Sequence, residues 1–218
     1  MSVAENIKHL LKEIPSHVKL VVVTKTHPVE ILQEAYQSGH RLFGENRVQE
    51  MVQKHTLLPN DIEWHLIGHL QTNKVKDIAP FVSLIQSVDS YKLLKEINKQ
   101  AQKNNRVIDC LLQVYIASEE TKFGLDFKEV ETILADPDFK TLQNIRIRGL
   151  MGMASNTSDT TQIRSEFHAL KSFFDKIKSA FQLPEFTCLS MGMSSDYPIA
   201  IDEGSTLIRV GSLIFGKR

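Results

Sequence analysis

Lys25 follows a run of apolar residues and is the side chain best suited to covalent chemistry. Residues 20–23 are consecutive aliphatic residues, which is typical of a strand buried on both faces of a parallel sheet. Pro28 suits the first turn of a following helix. A lysine where a buried strand opens into a loop can be partly desolvated, which favours a nucleophilic amine for Schiff-base chemistry. The alternative is a solvated lysine that only marks the strand end.

Two short segments near the end of the chain are rich in glycine and hydroxyl residues. Their members with the clearest binding chemistry are Ser194, Ser195, Gly211 and Ser212. Glycine lets the backbone approach a ligand closely, hydroxyls donate hydrogen bonds, and a helix N-terminus supplies free N–H groups. The pattern predicts a phosphate site. Tight turns with an N-capping serine would explain each segment alone.

Arg209 lies two residues before Gly211, the first named residue of the second segment. Its guanidinium could face inward and pair with an anion or with a ring nitrogen. A salt bridge to Asp202 or Glu203 is the structural alternative.

Strand and helix patterns alternate along the whole chain. Apolar and β-branched runs predict strands at residues 18–24, 41–43, 63–67, 82–86, 107–115, 145–150, 186–190 and 206–210. Helical periodicity predicts helices at residues 2–14, 28–38, 47–55, 72–78, 90–103, 127–134, 160–180 and 197–202. Ser90 is the expected N-cap of the helix that it precedes.

This alternation predicts an α/β protein, a single (β/α)8 TIM barrel with an extra N-terminal helix, occupying residues 1–218 as one domain. A doubly wound open sheet is the alternative, but no glycine-rich dinucleotide fingerprint follows the first strand. In a barrel, the loops after the strands share one face, and phosphate often binds after strands seven and eight. Closure places Lys25 beside that phosphate site. A ligand with an aldehyde and a phosphate would bridge them, and pyridoxal 5′-phosphate is such a molecule.

Five blocks of the sequence carry a family resemblance. They are VTKT at residues 23–26, FGENRVQE at 43–50, WHLIGHLQTNK at 64–74, SMGMSSD at 190–196 and RVGSLIFG at 209–216. With these blocks the chain closely resembles the pyridoxal-phosphate homeostasis (YggS/PROSC) family. The resemblance covers essentially the whole chain, and the central blocks are long and specific.

The resemblance implies a single barrel like the N-terminal domain of alanine racemase, which binds its cofactor as a Schiff base, has no established catalytic activity and influences cellular vitamin B6 balance. On this basis Lys25 forms the Schiff base, and Arg209 faces the pyridine nitrogen or the phosphate. Asn46 lies near the ring. The remaining implied contacts are those of the phosphate, with Ser194, Ser195, Gly211 and Ser212.

Two other functions remain open. A pyridoxal-phosphate-dependent racemase needs an acid/base on each face of the ring, and Lys25 could serve only one. Racemases take the second base, a tyrosine, from a second domain, whereas this chain ends at Arg218 soon after its last strand. Tyr115 or Tyr197 near the barrel mouth would be the substitute. The third interpretation is a barrel that binds another phosphorylated metabolite.

Composition bounds the cellular setting. Lys+Arg and Asp+Glu both number 26, so the chain lacks the basic excess typical of nucleic-acid binding. We see no signal peptide and no apolar run long enough to span a membrane, which leaves the cytoplasm as the expected compartment.

Cys110 and Cys188 are expected to be buried free thiols. We expect a monomer, because the racemase dimer interface partly involves the second domain. Enzymes that receive the cofactor are a further partner class.

Other polar residues have weaker interpretations. His65 and His69 lack the carboxylate or cysteine pattern that would complete a zinc site, and His65 is expected inside the barrel as a hydrogen-bonded residue. The family match indicates a surface role for Gln71, Asn73 and Lys74, which could instead be solvated. Lys122 could be a second, transient cofactor amine or a solvated loop lysine. Met151, Met153, Met191 and Met193 are expected to pack the barrel top, and a soft wall for the ligand is the alternative.

Overall fold

The protein forms a closed barrel of eight parallel strands. The structure is a computed structural model that describes residues 2–118 and 123–216. Strands follow one another around the barrel in chain order, and β8 closes it by pairing with β1. The strands are β1 (Lys19–Val23), β2 (Leu42–Glu45), β3 (Glu63–Leu66), β4 (Leu84–Val88), β5 (Ile108–Tyr115), β6 (Ile145–Met153), β7 (Cys188–Ser190) and β8 (Leu207–Val210). The predicted TIM barrel is therefore confirmed, and the open doubly wound sheet is wrong.

Helices connect the strands and cover the outside of the barrel. They are α1 (Val3–Glu13), α2 (Val29–Gln37), α3 (Val48–Leu57), α4 (Val75–Ile78), α5 (Tyr91–Lys103), α6 (Phe127–Ala135), α7 (Thr160–Ala180), α8 (Tyr197–Asp202) and α9 (Ser212–Phe215). The extra N-terminal helix α1 begins with a capping box between Ser2 and Glu5. The predicted N-cap of α5 is confirmed, since the Ser90 hydroxyl accepts a hydrogen bond from the Leu93 N–H. In the described residues no helix has the length and apolarity that a membrane span requires.

The alternation of side chains along each strand separates two apolar clusters. Leu20 and Val22 of β1 pack in the large cluster between strands and helices. Val21, between them, belongs to a small second cluster with Leu84, Leu111, Met151 and Leu207 from four other strands. Because successive residues of a strand face opposite sides, this second cluster fills the barrel interior.

Several predicted boundaries needed correction. Strand β2 runs on to Glu45 and β6 to Met153, so Met151-Gly152-Met153 is strand rather than loop. Hydrogen bonding to the neighbouring strand extends both elements beyond their apolar runs. The predicted helix at residues 72–78 divides into a 3-10 turn, Thr72–Lys74, and α4. The short helix α9 and the 3-10 helix Pro137–Thr141 were not predicted.

Candidate functional site

A cavity of about 630 Å³ opens at the carboxyl ends of the strands. Seven residues singled out from the sequence line it: Lys25, Asn46, Ser194, Ser195, Arg209, Gly211 and Ser212. They come from the ends of β1, β2, β7 and β8. These four strands are consecutive in the closed barrel, in the order β7, β8, β1 and β2. Barrel closure therefore brings together residues from both ends of the chain.

Lys25 lies two residues beyond the end of β1 and is half-buried in the cavity wall. The strand that delivers it is fixed on both sides: Val23 pairs with Gly44 of β2, and Val22 pairs with Val210 of β8. The buried strand thus ends in a lysine at the mouth of the barrel, as its apolar run predicts.

The two serine and glycine segments meet beside the end of β1. The Ser194 hydroxyl accepts a hydrogen bond from the Gly211 N–H at 3.3 Å and so joins the segment after β7 to the segment after β8. At Gly211 a Cβ atom would lie 3.1 Å from the carbonyl oxygen of Val23, so a side chain would crowd the backbone that leads to Lys25. The hydroxyl-rich loops and the amine therefore share one wall.

Arg209 points into the barrel and is 4% exposed. Its Nη1 donates to the Ser190 hydroxyl at 2.5 Å, and its Nη2 donates to the Gly152 carbonyl at 3.0 Å. Burial lowers the pKa of the guanidinium to about 10, against the attraction of Asp196, so the group stays charged at neutral pH. The alternative salt bridge is not formed, since both Asp202 and Glu203 pair with Arg164.

A chain of hydrogen bonds runs from Arg209 through the barrel interior. The Ser190 hydroxyl donates to Gln86 Oε1 at 2.6 Å, and Gln86 Nε2 contacts His65 Nδ1 at 3.0 Å. An amide nitrogen can only donate, so His65 Nδ1 must be an acceptor and the ring is neutral. Burial also lowers the pKa of His65 to about 3. Every donor in this chain therefore points away from Arg209, and the prediction of a hydrogen-bonded interior His65 is confirmed.

Asn46 follows β2 and lines the cavity. Its Oδ1 atom is buried and has no hydrogen-bond partner in the described part of the chain. Buried acceptors are normally satisfied, so this atom is suited to receive a hydrogen bond from a ligand in the cavity.

Sequence reasoning missed part of the cavity wall. Val23, His27, Ile67 and Gly216 line it without having been assigned to a binding site. Met153 and Met193 also line it, in agreement with the ligand-wall alternative, whereas Met151 and Met191 are fully buried in the apolar packing. Val23 and Met153 end β1 and β6, and Ile67 directly follows β3, so a position at the carboxyl end of a strand was the available signal for these three. Apolar side chains at such positions are easily attributed to packing alone.

The other candidates lie elsewhere. His69 pairs with Asp89 at 2.9 Å and stacks on Phe123, so it does not share a partner with His65. Gln71 and Asn73 are exposed and Lys74 is partly buried in the segment before α4, and none of the three lines the cavity. Lys122 is outside the described residues.

Neither tyrosine considered as a second base lines the cavity. Tyr115 ends β5, and the Tyr197 hydroxyl contacts a Glu13 carboxylate oxygen at 3.3 Å on the N-terminal helix. Both cysteines are free, but only Cys110 is buried; Cys188 is partly exposed at the start of β7. The expectation of burial was wrong for Cys188, because Cys188 is the first residue of a short strand and lies at the end of the barrel.

Known proteins match the chain over nearly its full length. The family described as alanine racemase, N-terminal domain, matches residues 1–218. The pyridoxal phosphate homeostasis protein of Aquifex aeolicus is 40% identical over 203 residues, which cover 92% of this chain and 87% of that protein. PipY of Synechococcus elongatus PCC7942 superposes with a TM-score of 0.92 and 38% identity in its structure without PLP, covering 99% of this chain and 100% of PipY. Its structure with PLP bound gives 0.90 and 36% over the same shares. The chain therefore belongs to the alanine racemase N-terminal domain family and, within it, to the pyridoxal phosphate homeostasis proteins.

Proposed function

We propose that this protein binds pyridoxal 5′-phosphate through Lys25 and takes part in the homeostasis of that cofactor rather than in catalytic turnover. The observation that carries the proposal is the cavity in which a lysine lies beside two hydroxyl-rich loops and a buried guanidinium. Its volume of about 630 Å³ lies within the range of sites for small ligands. The PipY structure with PLP bound supports the same ligand.

The cavity residues fit the functional groups of the cofactor. The cofactor supplies an aldehyde that condenses with an amine, and a pyridine ring that can withdraw electrons. Lys25 is the amine. Ser194 with Ser195 and Gly211 with Ser212 provide hydroxyl and backbone N–H donors for the phosphate. These donors stand on the loops after β7 and β8, the position at which barrels commonly hold phosphate.

Arg209 and Asn46 recognise the ring. A permanently charged guanidinium that faces the pyridine nitrogen leaves no proton for that nitrogen, because two positive charges would repel each other. An unprotonated ring nitrogen weakens the ring as an electron sink, which suits a protein that holds the cofactor. The unpartnered Oδ1 of Asn46 would accept a hydrogen bond from a donor on the ring.

Two observations favour binding without turnover. The relatives are named as homeostasis proteins, not as enzymes. Racemisation also requires a second acid/base on the face of the ring opposite Lys25, and neither Tyr115 nor Tyr197 lines the cavity. Enzymes that receive the cofactor, a cytoplasmic location and a monomeric state remain part of the proposal.

Borohydride reduction followed by peptide mass mapping tests the proposal. Reduction converts a Schiff base into a stable secondary amine, so we expect a pyridoxyl mass on the peptide that contains Lys25. Lys25→Ala should lose the adduct but change the free energy of unfolding by less than about 0.5 kcal/mol, as is usual away from the core. Lys19→Ala is the matched control, because Lys19 is exposed at the opposite end of the same strand.

Two results would contradict parts of the proposal. An unmodified Lys25 peptide after incubation with pyridoxal 5′-phosphate would remove the cofactor claim. Interconversion of L- and D-alanine by the loaded protein, absent in Lys25→Ala, would replace the homeostasis role by that of a racemase.

A further inference from the structure

A buried ionic cluster lies behind the loop that carries Lys25. Its members are Glu45 at the end of β2 and Glu50 and Lys54 on α3. Lys54 and Glu45 have side chains that are 5% and 0% exposed. None of these three residues lines the cavity. Their contacts instead reach the backbone on either side of Lys25.

The ammonium group of Lys54 contacts three acceptors. Nζ donates to the Thr24 carbonyl at 2.7 Å, to Glu45 Oε1 at 2.6 Å and to Glu50 Oε1 at 2.7 Å. An ammonium has three hydrogens, so its donors are fully used. The Thr24 carbonyl belongs to the peptide unit that precedes Lys25. Lys54 therefore fixes that unit directly.

Glu50 fixes the peptide unit on the other side of Lys25. Its Oε1 accepts a hydrogen bond from the backbone N–H of Thr26 as well as from Lys54. Thr26 has a φ of 63°, in the left-handed region that β-branched residues rarely occupy. Such a conformation persists only where the surroundings impose it. The carboxylate of Glu50 holds it together with the turn that the His27 N–H closes on the Thr24 carbonyl at 3.1 Å.

Glu45 completes the cluster and orients Lys54. The Thr24 hydroxyl donates to Glu45 Oε1 at 2.5 Å, so the residue before Lys25 is held by its side chain as well as by its carbonyl. Burial raises the pKa of Glu45, and the hydrogen bonds from Lys54 and Thr24 oppose that shift. The Oε2 atom of Glu45 is buried with no partner in the described residues. Replacing a whole buried ion pair by apolar residues is often neutral for stability, so the pair is weak evidence for a purely stabilising role.

We propose that Lys54 and Glu50 are positioning residues for Lys25: together they clamp the peptide units before and after it and so aim its amine at the aldehyde of the ligand. This inference rests on the proposed function, because it concerns the reaction of Lys25 with pyridoxal 5′-phosphate. Lys54 and Glu50 act through the backbone and do not touch the ligand. The described hydrogen bonds of Lys54 and Glu50 do not reach the phosphate loops after β7 and β8.

Two ligands distinguish an effect on the position of Lys25 from general damage to the cavity. Pyridoxal 5′-phosphate reports on Lys25, through the absorbance change on Schiff-base formation. Pyridoxine 5′-phosphate has the same ring and phosphate but no aldehyde, so its affinity reports only on the rest of the cavity. The variants are Lys54→Met and Glu50→Ala. The second should fold even if the first does not, because the side chain of Glu50 is partly exposed. Lys171→Met on α7 is the control, since Lys171 also makes an i,i+4 ion pair, with Asp175, at a more exposed position.

We expect both clamp variants to lower the equilibrium constant for condensation at least about tenfold, which corresponds to about 1.4 kcal/mol. Pyridoxine 5′-phosphate affinity should stay within about twofold of the wild-type value, and Lys171→Met should match the wild type with both ligands. The double variant of Lys54 and Glu50 should be no worse than the poorer single variant, because the two residues act as one unit.

Three outcomes would overturn the inference. Wild-type condensation in Glu50→Ala and in folded Lys54→Met would show that Lys25 needs no clamp. A parallel loss of pyridoxine 5′-phosphate affinity would show that the cluster only maintains the barrel mouth. Failure of the wild-type protein itself to form a reducible adduct would instead refute the proposed function, and the inference with it.

Discussion

Replacing Ser190 with alanine should release Arg209 from the position that faces the cavity. The Ser190 hydroxyl is fully buried inside the barrel, where it accepts from Arg209 Nη1 at 2.5 Å and donates to Gln86 Oε1 at 2.6 Å. Alanine removes both bonds without adding volume. The guanidinium then keeps only its bond to the Gly152 carbonyl among the contacts described above.

The expected loss of stability follows from the groups left behind. Gln86 is 0% exposed, so its Oε1 atom would be buried without a donor, and one guanidinium N–H would lose its acceptor. A buried polar group without a partner costs about 1–3 kcal/mol. Together the two should lower the free energy of unfolding by roughly 2–6 kcal/mol, which for a chain of this size lowers Tm by roughly 4–24 °C.

The affinity for pyridoxal 5′-phosphate tests the role of Arg209 separately from the stability of the barrel. We expect Ser190→Ala to weaken pyridoxal 5′-phosphate binding about tenfold, or about 1.4 kcal/mol, roughly the contribution of one hydrogen bond. Ser205→Ala is the matched control. Ser205 is equally buried, and its hydroxyl donates to the Met191 carbonyl at 2.7 Å. It is not part of the series of hydrogen bonds that begins at Arg209. Its loss should cost about 1 kcal/mol of stability and leave affinity within about twofold.

Thermal melts and fluorescence titrations of both serine variants measure these effects. If Ser190→Ala has reduced stability but wild-type affinity for pyridoxal 5′-phosphate, the hydrogen bonds of Ser190 do not position Arg209. Equal losses of affinity in the two variants would show that any loosening of the interior weakens binding, and the argument from Arg209 would fail.

Two further predictions concern stability. Gly149 has a φ of +154°, and a Cβ there would lie 1.7 Å from the Cys188 carbonyl oxygen. Gly149→Ala should therefore lower the free energy of unfolding by more than about 3 kcal/mol. A melting curve close to that of the wild type would contradict this packing of β6 on β7. Because burial lowers the pKa of His65 to about 3, while an unfolded histidine titrates near 6.5, the unfolded state binds the extra proton between these values. Stability from this neutral histidine is thus complete above about pH 6.5 and falls by up to about 1.4 kcal/mol per pH unit on acidification. His65→Asn should lack this dependence in denaturant titrations across that range, and parallel pH profiles for the two proteins would count against it.

The order of the elements could be read from the sequence because each depends on local patterns. The apolar run before Lys25, the N-capping Ser90 and the regular alternation of strand and helix fix the local structure. Once the strands are parallel and close into a barrel, their carboxyl ends must share one face. The grouping of Lys25 with Gly211 and Ser212 follows from topology alone, without knowledge of any side-chain contact.

The contacts that hold these residues were decided only by the tertiary structure. Nothing in the local pattern of α3 shows that Lys54 reaches the Thr24 carbonyl, or that Ser190 joins Gln86 to Arg209. Such contacts depend on strand register and on the stagger of the closed barrel, and a shift of one residue turns a side chain to the opposite face. Periodicity along the chain therefore determines which elements form and where their ends meet. The register between elements, which is set by packing among residues far apart in sequence, determines which polar groups meet inside.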